Sequence, residues 1–235
     1  MTDADAGAAG LLARLRGGLI VSCQARAGHP LHDSVVIRAL ARAAEVGGAA
    51  GLRINGEADI RAVREAVDLP IIGIRKVWTP GTAVYITPTV ADAAAVAAAG
   101  ADIIALDATA RPRSGGSEVE ELIPRIRREL GKPVMADIST LEEGRRAEAL
   151  GADLVATTLA GYTGGPVPEE PDLDLVAELA RALRVPVVAE GRYRTPEQVV
   201  AAFRAGAFAV VVGRAITDAL DLTRRFVEAI ARSRR

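Results

Sequence analysis

The sequence has few aromatic residues, few histidines and a single cysteine, and each shortage excludes a class of site. Only 3% of its 235 residues are aromatic although 50% are hydrophobic. The core must therefore consist of alanine, valine, leucine and isoleucine, as in parallel sheets that helices cover on both faces. One cysteine, Cys23, excludes an intrachain disulfide. The two histidines, His29 and His32, share one segment and form no zinc-type cluster with Cys23.

The chain also lacks a charge imbalance and a long hydrophobic run. Its 29 basic and 30 acidic residues give a net charge of −1, which argues against a nucleic-acid-binding surface. No uninterrupted apolar stretch reaches the roughly 20 residues of a membrane-spanning helix. The acidic start, Met1 to Asp5, lacks the basic region and apolar run of a signal peptide. We therefore expect a cytoplasmic protein with neither a nucleic-acid nor a membrane partner.

The sequence does contain a repeated junction between helix-like and strand-like segments. Four helix-like segments end in a Gly-Ala pair that precedes a short apolar run, at Gly48-Ala49, Gly100-Ala101, Gly151-Ala152 and Gly206-Ala207. Glycine just past a helix adopts the left-handed conformation that ends the helix. Three further apolar runs follow a proline, at Leu69-Pro70, Lys132-Pro133 and Val185-Pro186. Proline is tolerated there because the first residue of a strand need not donate to the sheet.

With the run Leu19 to Gln24, these junctions predict eight short strands. Helices are expected between and after them, at residues 34–46, 57–67, 90–99, 117–130, 141–149, 172–183, 196–204 and 217–232. This alternation predicts a single-domain (β/α)8 TIM barrel over residues 10–235, preceded by a flexible tail over residues 1–9. A doubly wound open sheet is the alternative, but its usual G-x-G-x-x-G turn does not follow the first strand.

The residues that end the predicted strands are the candidates for catalysis, because active sites of this fold lie at the carboxyl ends of the strands. Lys76 and Glu190 end runs that are otherwise largely apolar, and such charges are seldom buried without a partner. Alternation along each strand would place them above the apolar residues that fill the barrel. Polar residues also end strands simply because the chain returns to water. Cys23 has the opposite parity to Gln24, which indicates a packed thiol rather than a nucleophile.

Glycines follow the seventh and eighth strands, where barrels commonly bind phosphate. Gly191 and Gly213 are these glycines, and a residue without a side chain lets backbone donors approach an anion closely. Ordinary turn glycines are the alternative interpretation. After the third strand, the extended-looking segment 82–89 is interpreted as part of an elaborate loop. Trp78 and Tyr85 flank that loop and either line a sugar site or only pack locally.

Eight longer stretches are together more specific than any one glycine motif. They cover residues 18–25, 51–56, 69–74, 84–89, 100–109, 135–140, 157–163 and 189–196, and include GLIVSCQA, MADIST and AEGRYRTP. They resemble the bacterial N-acetylmannosamine-6-phosphate 2-epimerase family. The resemblance implies an isomerase that interconverts the 6-phosphates of N-acetylmannosamine and N-acetylglucosamine in sialic acid breakdown. It also implies a homodimer and a reaction without metal or organic cofactor.

By motif position, the resemblance also implies a role for each of ten residues. These are Lys76 and Glu190 in catalysis, Gln24, Arg53, Asp137 and Tyr162 in substrate binding, and Gly191, Arg192, Gly213 and Arg214 in phosphate binding. Two features depart from the family. Asp218 stands where the family often has arginine, and an acid at a phosphate-binding helix start is unfavourable if it points inward. Either Arg214 or Arg192 then supplies the positive charge, or the anion differs. Near Lys76, Arg75 and Trp78 also differ from what the family pattern leads us to expect. This difference puts the details of the substrate in question more than the fold.

The chemistry of the implied reaction fits these residue types. Inversion at C2 removes a proton that is acidic only when C1 is an aldehyde, and returns a proton on the opposite face. Lys76 and Glu190 would supply the two acid–base groups, or one lysine would serve both faces. Another phosphosugar isomerase and a non-catalytic sugar-phosphate-binding protein are the competing functions. The presence of both Lys76 and Glu190 favours an enzyme.

Overall fold

The computed structural model describes residues 3–113 and 118–234. Eight strands form a closed parallel barrel in which each strand pairs with the next along the chain and the last pairs with the first. The strands are β1 (Leu19–Cys23), β2 (Gly51–Asn55), β3 (Ile71–Ile74), β4 (Ile103–Asp107), β5 (Val134–Asp137), β6 (Leu154–Ala156), β7 (Val187–Glu190) and β8 (Ala209–Val212). The predicted single-domain (β/α)8 TIM barrel is confirmed, and the open sheet is excluded.

Helices cover the outside of the barrel. Within the described residues they are α1 (Asp3–Leu15), α2 (Ser34–Val46), α3 (Glu57–Arg64), α4 (Val90–Ala98), α5 (Val119–Arg125), α6 (Leu141–Ala149), α7 (Leu173–Ala182), α8 (Pro196–Arg204), α9 (Arg214–Thr217) and α10 (Ala219–Ser233). A π-helical turn, Ile126–Leu130, continues α5. The eight predicted helices correspond to α2–α8 and α10, although residue 117 lies outside the described residues. The short helix α9 directly after β8 was not predicted.

Capping side chains fix where several helices begin. Asp33 caps α2 by accepting a hydrogen bond from the Val35 amide at 2.7 Å. Thr140 and Thr195 each form a capping box with the third residue of their helix, and Pro196 occupies the first turn of α8. These contacts satisfy amide groups that have no acceptor within the helix. The predicted glycine ends are also present, with positive φ at Gly48, Gly100, Gly151 and Gly206.

The buried residues form two main layers, one inside the barrel and one between the sheet and the helices. The inner layer includes Ile20, Ile72, Ile74, Ile103, Ala105, Met135 and Val188. These are residues that share parity with the polar strand ends, so the predicted alternation is confirmed. Cys23 lies in the outer layer and is fully buried. Burial raises the pKa of its thiol to about 12, as expected for a packed cysteine rather than a nucleophile.

The N-terminal segment differs from the expected tail. Residues 3–9 belong to α1, and residues 1 and 2 of the expected tail lie outside the described part. Leu15 is fully buried with the inner layer of the barrel, and Leu11 and Leu12 pack against the same cluster. The Arg16 guanidinium lies 4.9 Å from the centroid of the Phe208 ring. Helix α1 therefore covers the end of the barrel opposite the active site, and burial of its leucines stabilises it.

Candidate active site

The carboxyl ends of the strands surround a cavity of about 1130 Å³. Eight of the ten predicted site residues line it: Gln24, Lys76, Tyr162, Glu190, Gly191, Arg192, Gly213 and Arg214. The other two, Arg53 and Asp137, lie below its floor with side chains that are 1% and 0% exposed. The sequence therefore identified residues that the fold brings together, but two of them support the site from beneath.

Arg53 is the centre of the buried charges. Its guanidinium donates to both oxygens of Asp137, at 2.9 and 2.5 Å, and to Glu190 Oε2 at 2.6 Å. The Thr158 hydroxyl donates to Asp137 Oδ1 at 2.6 Å and lies 3.1 Å from Glu190 Oε2. Thr158 belongs to a 3-10 turn directly after β6; its position at the end of the predicted sixth strand was a signal for the site, but it was not among the predicted site residues. One guanidinium thus serves two carboxylates, a fork geometry that lysine does not offer.

Glu190 occupies the rim of this cluster, with its side chain 14% exposed. Burial raises the pKa of its carboxyl, while Arg53 opposes this rise and the negative charge of Asp137 adds to it. A carboxyl with a raised pKa is held closer to the protonated form at neutral pH. Glu190 can therefore exchange a proton with a group in the cavity.

Lys76 faces the same cluster from the loop after β3. Burial, together with the positive charge of Arg53, lowers the pKa of its ammonium to about 8, although Glu190 and Asp137 oppose that shift. Its backbone is fixed by a bridge to Ile86 and by the Lys76 amide, which donates to Asn55 Oδ1 at 2.9 Å. An amine with this pKa is neutral often enough near pH 7 to act as a base.

The loop that carries Lys76 returns as an antiparallel segment, as the extended pattern of residues 82–89 indicated. The Val77 amide donates to the Tyr85 carbonyl at 2.8 Å, and the Thr87 amide donates to the Arg75 carbonyl at 2.7 Å. The Trp78 and Tyr85 rings stack with centroids 5.7 Å apart, and both residues line the cavity. The two aromatics therefore form part of the wall beside Lys76.

Gln24 presents an unsatisfied acceptor within the described part of the site. Its amide nitrogen donates to the Ser22 hydroxyl at 2.6 Å. Its carbonyl oxygen is buried and has no hydrogen-bond partner among the described residues. Buried polar atoms normally have a partner, so this oxygen is available to a hydroxyl or amide of a ligand.

The loops after β7 and β8 form the predicted phosphate region. Gly191 has φ +112°, and Gly213 packs against Ser22, where a Cβ would lie 3.4 Å from the Ser22 Cβ. Helix α9 begins directly after Gly213, with Arg214 as its first residue. The first amides of a helix have no acceptor within it. A short helix at this position is a common phosphate-binding element of the fold.

Asp218 is engaged by its surroundings. Its carboxylate caps α10 by accepting from the Asp221 amide at 3.0 Å. His29 Nε2 lies 3.3 Å from the same oxygen, and the Leu31 amide donates to His29 Nδ1 at 3.2 Å. Within the described residues His29 Nε2 makes no hydrogen bond, so its approach to Asp218 is a close contact between the two side chains. The carboxylate that departs from the family therefore has a local partner.

Asp107, the acidic residue that ends β4, stabilises the fold and does not line the cavity. The Asp107 carboxylate is fully buried and accepts from the Arg111 guanidinium at 2.7 Å and the Thr109 hydroxyl at 2.6 Å. Within residues 3–113 and 118–234, no group of three or more His, Cys, Asp or Glu side chains is arranged to hold a metal ion.

Comparison with known proteins identifies the family. Residues 37–232 match the family described as "Putative N-acetylmannosamine-6-phosphate epimerase". Two relatives are each named "Putative N-acetylmannosamine-6-phosphate 2-epimerase". The relative from Caldanaerobacter subterraneus subsp. tengcongensis is 50% identical over 226 residues, or 95% of either chain. The relative from Thermosynechococcus vestitus is 53% identical over 213 residues, or 90% of this chain and 92% of the relative.

A solved structure agrees with the sequence comparison. The N-acetylmannosamine-6-phosphate 2-epimerase from Clostridium perfringens is similar at a TM-score of 0.90 with 43% sequence identity. The similarity covers 93% of this chain and 96% of that one. The family match, the identities and the shared fold extend over nearly all of the chain. The chain belongs to the N-acetylmannosamine-6-phosphate 2-epimerase family.

Proposed function

We propose that this protein interconverts N-acetylmannosamine 6-phosphate and N-acetylglucosamine 6-phosphate by proton transfer at C2. The observation that carries the proposal is the pair formed by Lys76, whose pKa is lowered to about 8, and Glu190, whose pKa is raised. Both line one cavity over the Arg53 guanidinium. Opposite shifts bring a base and an acid toward a common pH, as reversible proton transfer requires.

The reaction proceeds through the open-chain sugar, in which the C1 aldehyde acidifies the C2 proton. One of Lys76 and Glu190 removes that proton, and the other returns a proton to the opposite face; the two exchange roles in the reverse direction. Negative charge develops on O1 as the enediolate forms. Arg53 stabilises this charge from beneath the cavity, directly or through the Glu190 carboxylate to which it donates a hydrogen bond.

Backbone and side-chain donors hold the rest of the substrate. The phosphate binds between Gly191-Arg192 and Gly213-Arg214, where a glycine-rich turn meets the start of α9. Gln24 and Tyr162, which line the cavity, bind sugar oxygens. Asp137 orients Arg53 from below with two hydrogen bonds. The site thus has a phosphate end and a proton-transfer end.

A panel of three sugars tests the substrate assignment. N-acetylmannosamine 6-phosphate is expected to be epimerised with a kcat/KM at least about 100-fold above that for mannose 6-phosphate or unphosphorylated N-acetylmannosamine, since each analogue leaves part of the site unpaired. The rates are measured by proton NMR on one enzyme preparation. Faster epimerisation of mannose 6-phosphate would instead assign the protein to another phosphosugar isomerase activity.

The pH dependence of kcat/KM distinguishes a pair of acid–base groups from a single lysine. The pair of Lys76 and Glu190 works only when one group can accept a proton and the other can donate one. We therefore expect a bell-shaped profile in both directions, falling above about pH 8 as Lys76 loses its proton, and falling again below the raised pKa of Glu190. A single lysine acting on both faces needs only its neutral form. A profile that rises through pH 8 and stays level would therefore remove Glu190 from proton transfer.

The same family supports placing the protein in sialic acid catabolism in the cytoplasm. Its single cysteine suits a reducing compartment. Across the described ranges, no helix has the length and hydrophobicity needed to cross a bilayer.

A homodimer is supported by the surface of α10. None of the described residues of this helix is buried, and Phe226, Val227 and Ile230 are 72%, 59% and 52% exposed. An exposed apolar face of this kind is typical of an interface. A twofold interface would bring the same face of both copies together.

The double substitution Phe226→Asp/Ile230→Asp is expected to convert the dimer to a monomer, because it places charges in the interface core. Size-exclusion chromatography with light scattering gives the mass directly. Val46→Asp is the matched control, since Val46 is 76% exposed at the end of α2 and does not belong to α10. A wild-type monomer at micromolar concentration, or a dimer that survives both charges, would exclude this interface.

A further inference from the structure

We infer that Arg192 is a positioning residue that fastens residues 160–172, the segment between β6 and α7, over the cavity. It does so instead of supplying positive charge to the phosphate. The inference rests on the proposed function, because the segment is the one that brings Tyr162 to the substrate. It leaves the side-chain charge for the phosphate to Arg214, which is exposed and begins α9.

The guanidinium of Arg192 joins the two ends of this segment. Its Nε donates to the Glu170 carbonyl at 2.7 Å, and its Nη1 donates to the Ala160 carbonyl. Nine residues of chain lie between these two acceptors. Arg192 is only 9% exposed, so the guanidinium is enclosed by the segment it binds. A planar fork can reach two carbonyls at once, whereas a lysine ammonium on a flexible stem does not hold both in place.

The backbone conformation of Arg192 explains how this residue contributes both to the phosphate end of the cavity and to the fastening of residues 160–172. It has φ +64°, directly after Gly191 at φ +112°. A non-glycine residue rarely adopts this left-handed conformation, and it persists only where surrounding contacts fix it. Here the two hydrogen bonds to Glu170 and Ala160 provide those contacts. The backbone stays at the phosphate end of the cavity, and the side chain is committed to the neighbouring segment.

Tyr162 is the residue that the segment presents. Its ring centroid lies 5.4 Å from the Arg192 guanidinium carbon, within the range of a cation–π contact. Tyr162 is 38% exposed and lines the cavity. At the adjacent Gly161, a Cβ would lie 2.7 Å from Pro168 Cδ and 3.1 Å from Arg192 Nη1. The segment is therefore folded closely around the guanidinium, and loss of that group should release Tyr162.

A second contact fastens the same segment from α8. The Gln198 side-chain nitrogen donates to Glu170 Oε2 at 2.6 Å, while its oxygen accepts from the Arg194 amide at 2.7 Å. Arg192 from the loop after β7 and Gln198 from α8 thus both hold Glu170. Of these two described side chains, Arg192 is the one that also reaches the Ala160 end, so its removal cannot be compensated by Gln198.

Comparison of Arg192→Lys with Arg192→Gln separates positioning from charge. If Arg192 is a clamp, both variants should raise KM for the sugar phosphate by about tenfold or more, and lysine should not rescue although it keeps the charge. Competitive inhibition by inorganic phosphate, which probes the phosphate end alone, should change less than about twofold in both. Arg214→Gln is the control and should weaken phosphate inhibition by about fivefold or more, as loss of a charge-assisted contact predicts.

A double-mutant cycle tests whether Arg192 acts through Tyr162. Tyr162→Ala should raise KM by itself, and adding Arg192→Gln should then raise KM by less than about twofold further, since interacting residues are not additive. Near-normal KM in Arg192→Lys, with weakened phosphate inhibition in Arg192→Gln, would show that Arg192 supplies charge. Fully additive KM effects would show that it does not act through Tyr162. Either result overturns the inference.

Limited proteolysis makes the inference testable apart from activity. Chymotrypsin should cleave after Tyr162 several-fold faster in Arg192→Gln and in Arg192→Lys than in wild type, as mass spectrometry of the fragments will show. Equal cleavage rates in the three proteins would contradict the clamp. Absence of wild-type turnover contradicts only the proposed function, because the cleavage rates are still measured.

Discussion

Lys76→Ala is expected to lower kcat by at least about 10³-fold and to abolish exchange of the C2 proton in the epimer that presents this proton to Lys76, because the variant loses one of two acid–base groups. The fold should be retained, since Lys76 lies beyond the end of β3 rather than in the core. Exchange is measured by proton NMR in deuterated water, where even one-sided proton removal replaces the C2 proton with deuterium. Normal exchange in both epimers would remove Lys76 from the mechanism.

Lys132→Ala is the matched control for this experiment. Lys132 is the second of the two lysines in the sequence. It precedes β5 and therefore lies at the amino end of the barrel, away from the cavity. Its loss should leave kcat within about twofold of wild type, as for surface changes remote from a site. A large loss in both variants would indicate that lysine content affects the protein as a whole rather than the reaction.

Arg53→Met is expected to have the largest effect on stability. It leaves Asp137 and Glu190 buried at close range without their shared cation. Removal of one partner of a buried ion pair costs on the order of 3–5 kcal/mol. Activity should also be lost, because no positive charge remains beneath the reacting oxygen. The free energy of unfolding is measured by urea titration of wild type and variant at pH 7.5.

The direction in which the destabilisation of Arg53→Met changes with pH identifies its cause. The destabilisation should shrink as the pH falls from 7.5 to 5.5, because burial raises the pKa of Glu190 and its protonation removes one of the unpaired negative charges. Arg125→Met is the control, since Arg125 pairs with Glu129 at the surface of α5 and its loss should leave unfolding unchanged. If Arg53→Met were as stable as wild type at every pH, the buried carboxylates would not depend on Arg53.

The periodic features of the sequence were sufficient to predict the barrel. Gly-Ala pairs mark helix ends, because a positive φ is needed where each chain segment turns back into the sheet. Strand parity correctly separated the inner residues, such as Ile72 and Ile74, from the outer Cys23. Helix α1 was missed because an alanine-rich segment with few leucines resembles a loose tail. Only the open end of the barrel supplies the surface that Leu15 covers.

The candidate site was predicted in its composition but not in its connections. The fold fixes which strand ends converge, so Lys76 and Glu190 follow from position along the chain. Hydrogen bonds between residues far apart in the sequence cannot be predicted from their positions along the chain. Nothing in the sequence indicated that Arg53 binds two carboxylates. Likewise, the sequence around Arg192 does not indicate the left-handed backbone conformation that directs its side chain toward residues 160–172.

The most direct test is proton NMR of the purified protein with N-acetylmannosamine 6-phosphate in deuterated water containing a chelator. The expected result is the gluco epimer with deuterium at C2, since the proton that leaves is replaced from solvent-exchanged Lys76 or Glu190. Gluco product that keeps its C2 proton would contradict transfer through exchangeable groups. Absence of conversion while the sugar phosphate still binds would contradict the proposed substrate, and Asp218 in the phosphate region would be the first residue to replace.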